Sequence, residues 1–215
     1  MTTLTPLEPA TATVPVTERD LQLPLAIDDD WFKPCAVVPV YNHEDSLPNV
    51  VRALLAQDLP CVLVDDGSSP DAAAIIDELA KHPLVHLLRH SRNQGKGAAV
   101  ASGLREASRL GFSHALQVDA DGQHDLSGVP LFLDRASQAP DALICGYPQY
   151  DSSVPKGRLY ARYLTHIWVW INTLSLSIRD SMCGFRVYPL QPTLALLDST
   201  ALGQRMDFDT EVLVR

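Results

Sequence analysis

The sequence is poor in basic residues and has no long apolar run. Its 215 residues include 17 lysines and arginines against 26 aspartates and glutamates, a formal net charge of −9. General nucleic-acid binding needs clustered positive charge, so this balance argues against that class of protein. A membrane-spanning helix needs about 20 apolar residues. The nearest candidate, 163–178, is interrupted by His166 and Asn172, so we expect no spanning helix.

Cysteines are also few and scattered. Cys35, Cys61, Cys145 and Cys183 include no Cys-x-x-Cys pair, and the first three lie in or beside apolar runs. We expect buried, reduced thiols in a cytosolic protein. The N-terminus lacks a basic stretch followed by an apolar block, so we expect no secretory signal peptide. With 46% hydrophobic residues, the chain is long and apolar enough for one folded domain.

Short apolar runs alternate with helical patterns from residue 34 onward, after a Thr-, Pro- and acid-rich tail predicted over 1–33. Strands are predicted in 35–40, 61–65, 84–90, 114–118 and 142–147, with helices in 47–55, 71–82, 95–111 and 128–138. Alternating strands and helices predict an α/β fold with a mostly parallel, Rossmann-like sheet and helices on both faces.

The pattern changes after residue 150. A long helix is predicted in 155–178, then a loop and short strand in 179–189. A last helix begins near 206, and the chain ends inside it, which gives the expectation of a truncated C-terminus to a domain spanning 34–215.

Four polar clusters follow the predicted strands: "YNHED", "DDGSS", "RHSRNQGKG" and "DADGQH". Ligands of such sheets bind at the carboxyl ends of the strands. Because four clusters meet at one edge of one sheet, they predict a binding site there.

The acidic loop "DADGQH" has several interpretations when taken alone. An EF-hand fails on spacing, since His124 stands where glycine is needed and Pro130 where glutamate is needed. A haloacid-type phosphatase is disfavoured because three strands precede the loop and Gln123 follows the glycine. A purely structural acidic turn remains open for this loop by itself. The run "SRNQGKGAA" is not a P-loop, because His90 and Gly97 replace the required glycine and Ser/Thr.

Together, "VVPVYNHEDSL", "VLVDDGSSPD", "NQGKGAAVASGL" and "LQVDADGQH" occur in an order that resembles an inverting family-2 glycosyltransferase with the GT-A fold. The resemblance covers roughly 34–215. The motifs "DADGQ" and "DSMCGFR" make the chain most similar to the dolichyl- or polyprenyl-phosphate sugar transferases. The resemblance implies a nucleotide-sugar donor, a metal (Mg²⁺ or Mn²⁺) and catalysis at the acidic loop.

On an extended segment Asp119 and Asp121 would point the same way, with Gln123 continuing the alternation. By resemblance, Asp121 is the direct metal ligand and the main catalytic carboxylate, Asp119 lies beside it, and Gln123 completes the metal shell. His124 is expected to be a loop residue near the site.

The resemblance also implies a set of donor-binding residues. They are Pro39, Tyr41, Glu44, Asp65, Asp66, Lys96 and Asp119. For Glu44, a role at the start of the following helix is the alternative, since acidic residues favour that end of the helix dipole. Asp66 is expected at the nucleoside, and a helix-capping role is its plain alternative. Lys96 opens a helix between two glycines and is expected at the diphosphate.

The acceptor side follows from the expected nucleophile. A lipid phosphate is already anionic and needs cations rather than a general base, and Arg158, Arg162 and Arg186 are the candidates. Asp180 is expected to orient an arginine, or to act as base on a hydroxyl acceptor. By resemblance, Glu211 lies near the acceptor pocket. We therefore expect a cytoplasmic enzyme that contacts the inner face of a membrane peripherally. A soluble hydroxyl acceptor and a non-catalytic sugar-nucleotide-binding module remain the alternatives.

Overall fold

The computed structural model describes residues 31–146, 183–200, 202–205 and 207–214. The described residues from Phe32 onward form one compact unit. The predicted N-terminal tail and the predicted long helix over 155–178 lie outside the described residues. Within the described ranges, no helix has the length and apolarity needed to cross a bilayer.

The predicted alternation of strands and helices is confirmed. The strands are β1 (Pro34–Val40), β2 (Cys61–Asp65), β3 (Val85–Arg89), β4 (His114–Gln117), β5 (Ile144–Cys145) and β6 (Arg186–Pro189). The helices are α1 (Leu47–Leu55), α2 (Pro70–Leu79), α3 (Lys96–Arg109), α4 (Val129–Gln138), α5 (Leu190–Ser199) and α6 (Phe208–Val214), and a 3-10 turn spans Leu126–Gly128.

The strands form one six-stranded sheet in the order β3-β2-β1-β4-β6-β5. The pairs β1–β2, β1–β4 and β2–β3 are parallel. β6 is antiparallel to both β4 and β5. The predicted mostly parallel α/β sheet is therefore confirmed, with an antiparallel strand inserted between β4 and β5.

Both faces of the sheet are covered by helices. Along β1, Ala36 and Val38 pack on the face covered by α1, α2 and α4. Cys35 and Val37 pack on the opposite face, against α3, α5 and α6. Because side chains alternate along a strand and both faces of this one are buried, β1 carries a continuous apolar run instead of an alternating pattern.

Two local contacts bring helices to the edge where the polar clusters lie. Gly103 lets α3 rest directly on the sheet, since a Cβ there would lie 2.4 Å from Val37 Cγ1. Ser46 is the N-cap residue of α1, but its side chain makes no capping bond. Instead its Oγ donates to the carbonyl of Ala120 at 2.6 Å, which ties the start of α1 to the acidic loop.

The cysteine prediction holds in part. Cys35 and Cys61 are buried, Cys145 and Cys183 are half-buried, and all four are free thiols. Burial raises the pKa of Cys61 to about 12, so this thiol stays protonated and unreactive at neutral pH.

Candidate functional site

A cleft of about 410 Å³ opens at the carboxyl ends of β1, β2 and β4, and we call it the carboxyl-edge cleft. It lies at a topological switch point of the sheet, where the strand order reverses, because β2 lies on one side of β1 and β4 on the other. Open α/β sheets bind ligands at such points. Its charged lining consists of Asp66, Asp119, Asp121, Lys96 and Arg205. Pro39 and Tyr41, both predicted from the sequence, also line it.

The loop after β2 places Asp66 in the cleft wall with its carboxylate already engaged. Asp66 is only 3% exposed. Its Oδ1 accepts hydrogen bonds from Gln94 N at 2.9 Å and His90 Nδ1 at 2.7 Å, and its Oδ2 accepts one from Gly95 N at 2.8 Å. The expected cap of α2 is supplied by Ser69. Asp66 therefore shapes the loop before α3, and at most one acceptor position remains for a ligand.

Asp65 does not lie in the cleft lining. Its Oδ1 accepts from Ser68 N at 2.9 Å, and its Oδ2 accepts from Arg89 Nε at 2.6 Å. Burial opposes ionisation of Asp65, but the bonds from Ser68 and Arg89 outweigh it and lower its pKa. This corrects the expectation of a donor-binding residue, because both oxygens are held by the turn before α2 and by β3.

Asp119 lies in the loop after β4. In the part of the chain that the structure describes, its carboxylate is paired with side chains and with no backbone N–H group. Lys96 Nζ lies 2.8 Å from its Oδ1 and 2.9 Å from its Oδ2, and His124 Nε2 lies 3.3 Å from Oδ2. Burial opposes ionisation, but the bond from His124 and the charge of Lys96 lower the pKa of Asp119 to about 2. His124 is thus a neighbour of the site, as predicted, and it stacks on Phe185.

The segment that carries Asp121 and Gln123 is a turn, which corrects the predicted extended alternation. Gly122 has φ +74°, and the Asp121 Oδ1 accepts the Gln123 backbone N–H at 3.0 Å. This turn leaves Asp121 at the cleft and puts Gln123 on the exposed side. Asp119 and Asp121 therefore both line the cleft, as the sequence predicted, whereas Gln123 is not among the described cleft residues.

The carboxylates of Asp119 and Asp121 suit a divalent metal that is shared with a phosphate ligand. The described residues contain no group of three His, Cys, Asp or Glu side chains placed to hold a metal by themselves. Mg²⁺ bound with nucleotide phosphates usually takes only one or two carboxylates and fills its other positions with phosphate and water. Two carboxylates on one cleft wall fit that mode of binding.

Behind the cleft, Lys96 belongs to a buried polar network that reaches α6. Its Nζ lies 3.4 Å from Asp209 Oδ2. Asp209 Oδ1 accepts from Gln117 Nε2 at 3.4 Å, and Gln117 Oε1 accepts from the hydroxyl of Tyr188 at 2.9 Å. Asp209 was not predicted from the sequence. A signal was present: Gln117 is polar inside an apolar strand, and a buried amide needs polar partners.

Arg205 enters the cleft from the segment before α6. Gln204 O accepts from Ala98 N at 3.0 Å, which fixes this segment against the start of α3. Gly95, with φ +102°, allows the approach, because a Cβ there would lie 2.5 Å from Gln204 O. Arg205 was not predicted from the sequence, since no pattern indicated that the segment before α6 packs against the start of α3.

Three further predicted residues that the structure describes, Glu44, Arg186 and Glu211, are not in the cleft lining. Glu44 is half-buried, and its Oε2 has no hydrogen-bond partner in the described part of the chain. Arg186 is 0% exposed and donates to the carbonyls of Cys183 and Asp209. Its expected contact with an acceptor phosphate does not fit this burial. Glu211 accepts from Gly203 N at 2.8 Å. The predicted acceptor residues Arg158, Arg162 and Asp180 lie outside the described residues.

A sequence model of glycosyl transferase family 2 matches residues 35–204. This chain belongs to that family. The match includes the loops after β2 and β4 and the start of α3, so all the described lining residues of the carboxyl-edge cleft except Arg205 lie within the matched range.

Relatives of this glycosyltransferase domain confirm its predicted resemblance to the polyprenyl-phosphate branch. It is 29% identical to a polyprenol monophosphomannose synthase of Mycolicibacterium smegmatis over 79% of this chain and 66% of that protein. It is 28% identical to an undecaprenyl-phosphate mannosyltransferase of Micrococcus luteus, over 79% and 71%. It is 32% identical to an undecaprenyl-phosphate 4-deoxy-4-formamido-L-arabinose transferase of an Enterobacter species, over 52% and 36%. The chain therefore spans only part of these relatives.

Solved structures share the fold of this domain. Glucosyl-3-phosphoglycerate synthase from Mycobacterium tuberculosis, in complex with UDP, matches with a TM-score of 0.62 over 85% of this chain and 64% of that one. The same enzyme with Mn²⁺, UDP and phosphoglyceric acid matches with a TM-score of 0.64 over 85% and 63%. Identity is 15% in both, so the likeness establishes the fold alone. The predicted GT-A fold class is confirmed.

Proposed function

We propose that this domain transfers a sugar from a nucleoside-diphosphate sugar to a polyprenyl phosphate, with inversion at the anomeric carbon. The observation that carries the proposal is the carboxyl-edge cleft, where Asp119 and Asp121 lie with Lys96 and Arg205 in a family-2 domain. Relatives named for transfer to polyprenyl and undecaprenyl phosphate support the choice of acceptor.

The cleft suits the donor in size and chemistry. Its volume of about 410 Å³ lies in the range of small-molecule sites, roughly 300 to 1,000 Å³. Tyr41 is 48% exposed at the cleft, where its ring can pack on a nucleobase. Lys96 and Arg205 can bind diphosphate oxygens as charge-assisted donors.

The charges on the cleft wall favour an additional cation. Three carboxylates, from Asp66, Asp119 and Asp121, face two cations, Lys96 and Arg205. An incoming diphosphate would add further negative charge to this excess. Mg²⁺ or Mn²⁺ held by Asp119 and Asp121 would act as a Lewis acid that neutralises charge on the leaving diphosphate.

The acceptor phosphate would act as its own nucleophile. One of its oxygens would form a bond to the anomeric carbon while the bond from that carbon to the donor diphosphate breaks, which needs no general base. Cations would hold the acceptor phosphate, and Arg158 and Arg162 remain our candidates. Asp180 remains the candidate base for a hydroxyl acceptor. A polyprenyl phosphate is carried by a membrane, so we place the reaction at its cytoplasmic face with peripheral contact.

The test is a transfer assay with labelled UDP-, GDP- and dTDP-sugars, using the full chain and Mn²⁺. One arm offers polyprenyl phosphate in liposomes, and the other offers soluble hydroxyl acceptors. We expect labelled lipid in the first arm, and loss of transfer when EDTA replaces Mn²⁺. Label found only on soluble acceptors would contradict the lipid acceptor. Donor binding without any transfer would favour a binding module.

A further inference from the structure

We infer that residues 202–205 and Asp209 form a wall of the donor site, in which Arg205 binds the donor diphosphate and Asp209 positions Lys96 for the same group. The inference rests on the proposed function, since it takes the carboxyl-edge cleft as the donor site. It assigns a binding role and a positioning role to two residues near the end of the chain.

The first support is the close packing of this segment on the start of α3. Ala98 donates to Gln204 O at 3.0 Å. A Cβ on Gly97 would lie 2.5 Å from Phe208 Cβ, 2.8 Å from Gly203 O and 2.9 Å from Arg205 O. Together with Gly95, Gly97 therefore allows the segment to lie directly beside Lys96. Contact this close holds Arg205 at the cleft, because a shift of the segment would move its side chain.

The second support is the side chain of Arg205. It is exposed and lines the cleft with Lys96 and Asp121, while its backbone N–H is fixed by Asp207 Oδ1 at 3.1 Å. Arg105, Arg109 and Arg89 each form an ion pair with a neighbouring carboxylate. In the part of the chain that the structure describes, no such pair involves Arg205. An arginine fork matches paired phosphate oxygens, and the cleft presents Arg205 to them.

The third support is the burial of Asp209. Asp209 is 3% exposed, and a buried carboxylate needs a cation or hydrogen-bond donors. Lys96 lies 3.4 Å from Asp209 and 2.8 Å from Asp119. Lys96 is therefore shared by two carboxylates. Asp209 can keep it at the cleft floor when Asp119 engages another cation.

The first experiment measures calorimetric affinity for a nucleoside diphosphate and for the matching nucleoside, with Mn²⁺, in Arg205→Gln. We expect diphosphate binding to weaken about tenfold, a typical effect of one charged hydrogen bond. Nucleoside binding should change less than twofold. The matched control is Arg105→Gln, an exposed arginine of α3 paired with Asp198, which should bind both ligands like the wild type.

The second experiment tests whether Asp209 acts through Lys96. In Asp209→Asn, the ratio of nucleoside-diphosphate affinity to nucleoside affinity should fall about fivefold. A merely structural role would lower both affinities together and leave the ratio unchanged. In a Lys96→Gln background, Asp209→Asn should have no further effect on the ratio, since coupled residues are not additive. Asp198→Asn, an exposed acid, is the control and should leave the ratio at its wild-type value.

The outcomes separate this inference from the proposed function. If the wild type binds nucleoside diphosphates and Arg205→Gln binds them equally well, the inference is overturned and the proposed function stands. The assignment of Asp209 is overturned if the ratio is unchanged, or if it falls equally in the Lys96→Gln background. If the wild type binds no nucleoside diphosphate, both the inference and the proposed function fail.

Discussion

The acidic loop after β2 and the acidic loop after β4 lie at the same edge of the sheet, yet their carboxylates have different partners. Asp65 and Asp66 are 1% and 3% exposed and accept hydrogen bonds from backbone N–H groups, Arg89 and His90. The Asp119 side chain is 24% exposed and pairs with the side chains of Lys96 and His124.

The difference separates a carboxylate that shapes the site from one that faces a ligand. Fixed backbone donors hold the Asp66 carboxylate in one geometry, and its hydrogen bonds are formed without a ligand. Side-chain cations such as Lys96 can move or share their charge, so Asp119 can exchange a partner for a metal. Asp121 accepts one backbone bond and lines the cleft. Substitutions in these two loops are therefore expected to have different effects, although the loops have similar sequences.

The largest effect is expected from Asp121→Asn. Loss of a charged ligand oxygen should lower sugar transfer at least about 100-fold, since ligand losses at metal sites commonly cost that much. The melting temperature should stay within about 2 °C, because the side chain carries one bond in an exposed turn. A transfer assay and a thermal melt measure the two. Asp134→Asn on α4 is the matched exposed control. Full transfer by Asp121→Asn would place the metal elsewhere.

The second effect is on stability. Asp66→Ala should lower the free energy of unfolding by about 2 kcal/mol, because it removes the acceptor of the partly buried hydrogen bonds from His90, Gln94 and Gly95. Urea unfolding measures it, with Asp134→Ala as the exposed control. Unchanged stability with lost nucleotide affinity would mean that Asp66 acts mainly as a ligand contact. The proposed difference between the loops after β2 and β4 would then be wrong.

A smaller effect is expected from Asp65→Asn, about 1 kcal/mol at pH 7, because Arg89 keeps its pair with Asp77 at 2.9 Å. Its pH dependence has a defined sign. The pKa of Asp65 is held below its ordinary value of 3.8, so its contribution is present above about pH 4 and is lost as the pH falls further. Urea unfolding at pH 7, 5 and 3 should show the difference in stability between the variant and the wild type shrinking as the pH falls below about 4. A difference that grows toward pH 3 would contradict the assignment.

The fold was largely predictable because its signals are local. The apolar runs of β1, β2 and β4 are short and bounded by polar loops, and alternation with helices favours parallel pairing. The position of β6 was not predictable in this way. The pairing of Pro189 in β6 with His114 in β4 joins residues that are distant in the sequence. No local sequence pattern indicates that β6 lies between β4 and β5.

The position of the site at the carboxyl edge of the sheet was predictable from the sequence, but the contacts of its side chains were less predictable. Asp119, Asp121 and Lys96 were found because each follows a strand or begins a helix at the expected edge. The roles of Asp65 and Asp66 depend on partners in other elements, such as Arg89 and Gln94, which no spacing reveals. The exposed position of Gln123 depends on the positive φ of Gly122, which breaks the alternation of an extended segment.

We expect the loop after β4 to bind a metal together with the donor diphosphate. The most direct test is calorimetric binding of a nucleoside diphosphate with Mn²⁺ or with EDTA, in the wild type and in Asp121→Asn. We expect Mn²⁺ to tighten binding at least about tenfold in the wild type and less than about twofold in the variant. Equal affinity of the wild type with Mn²⁺ and with EDTA would contradict it.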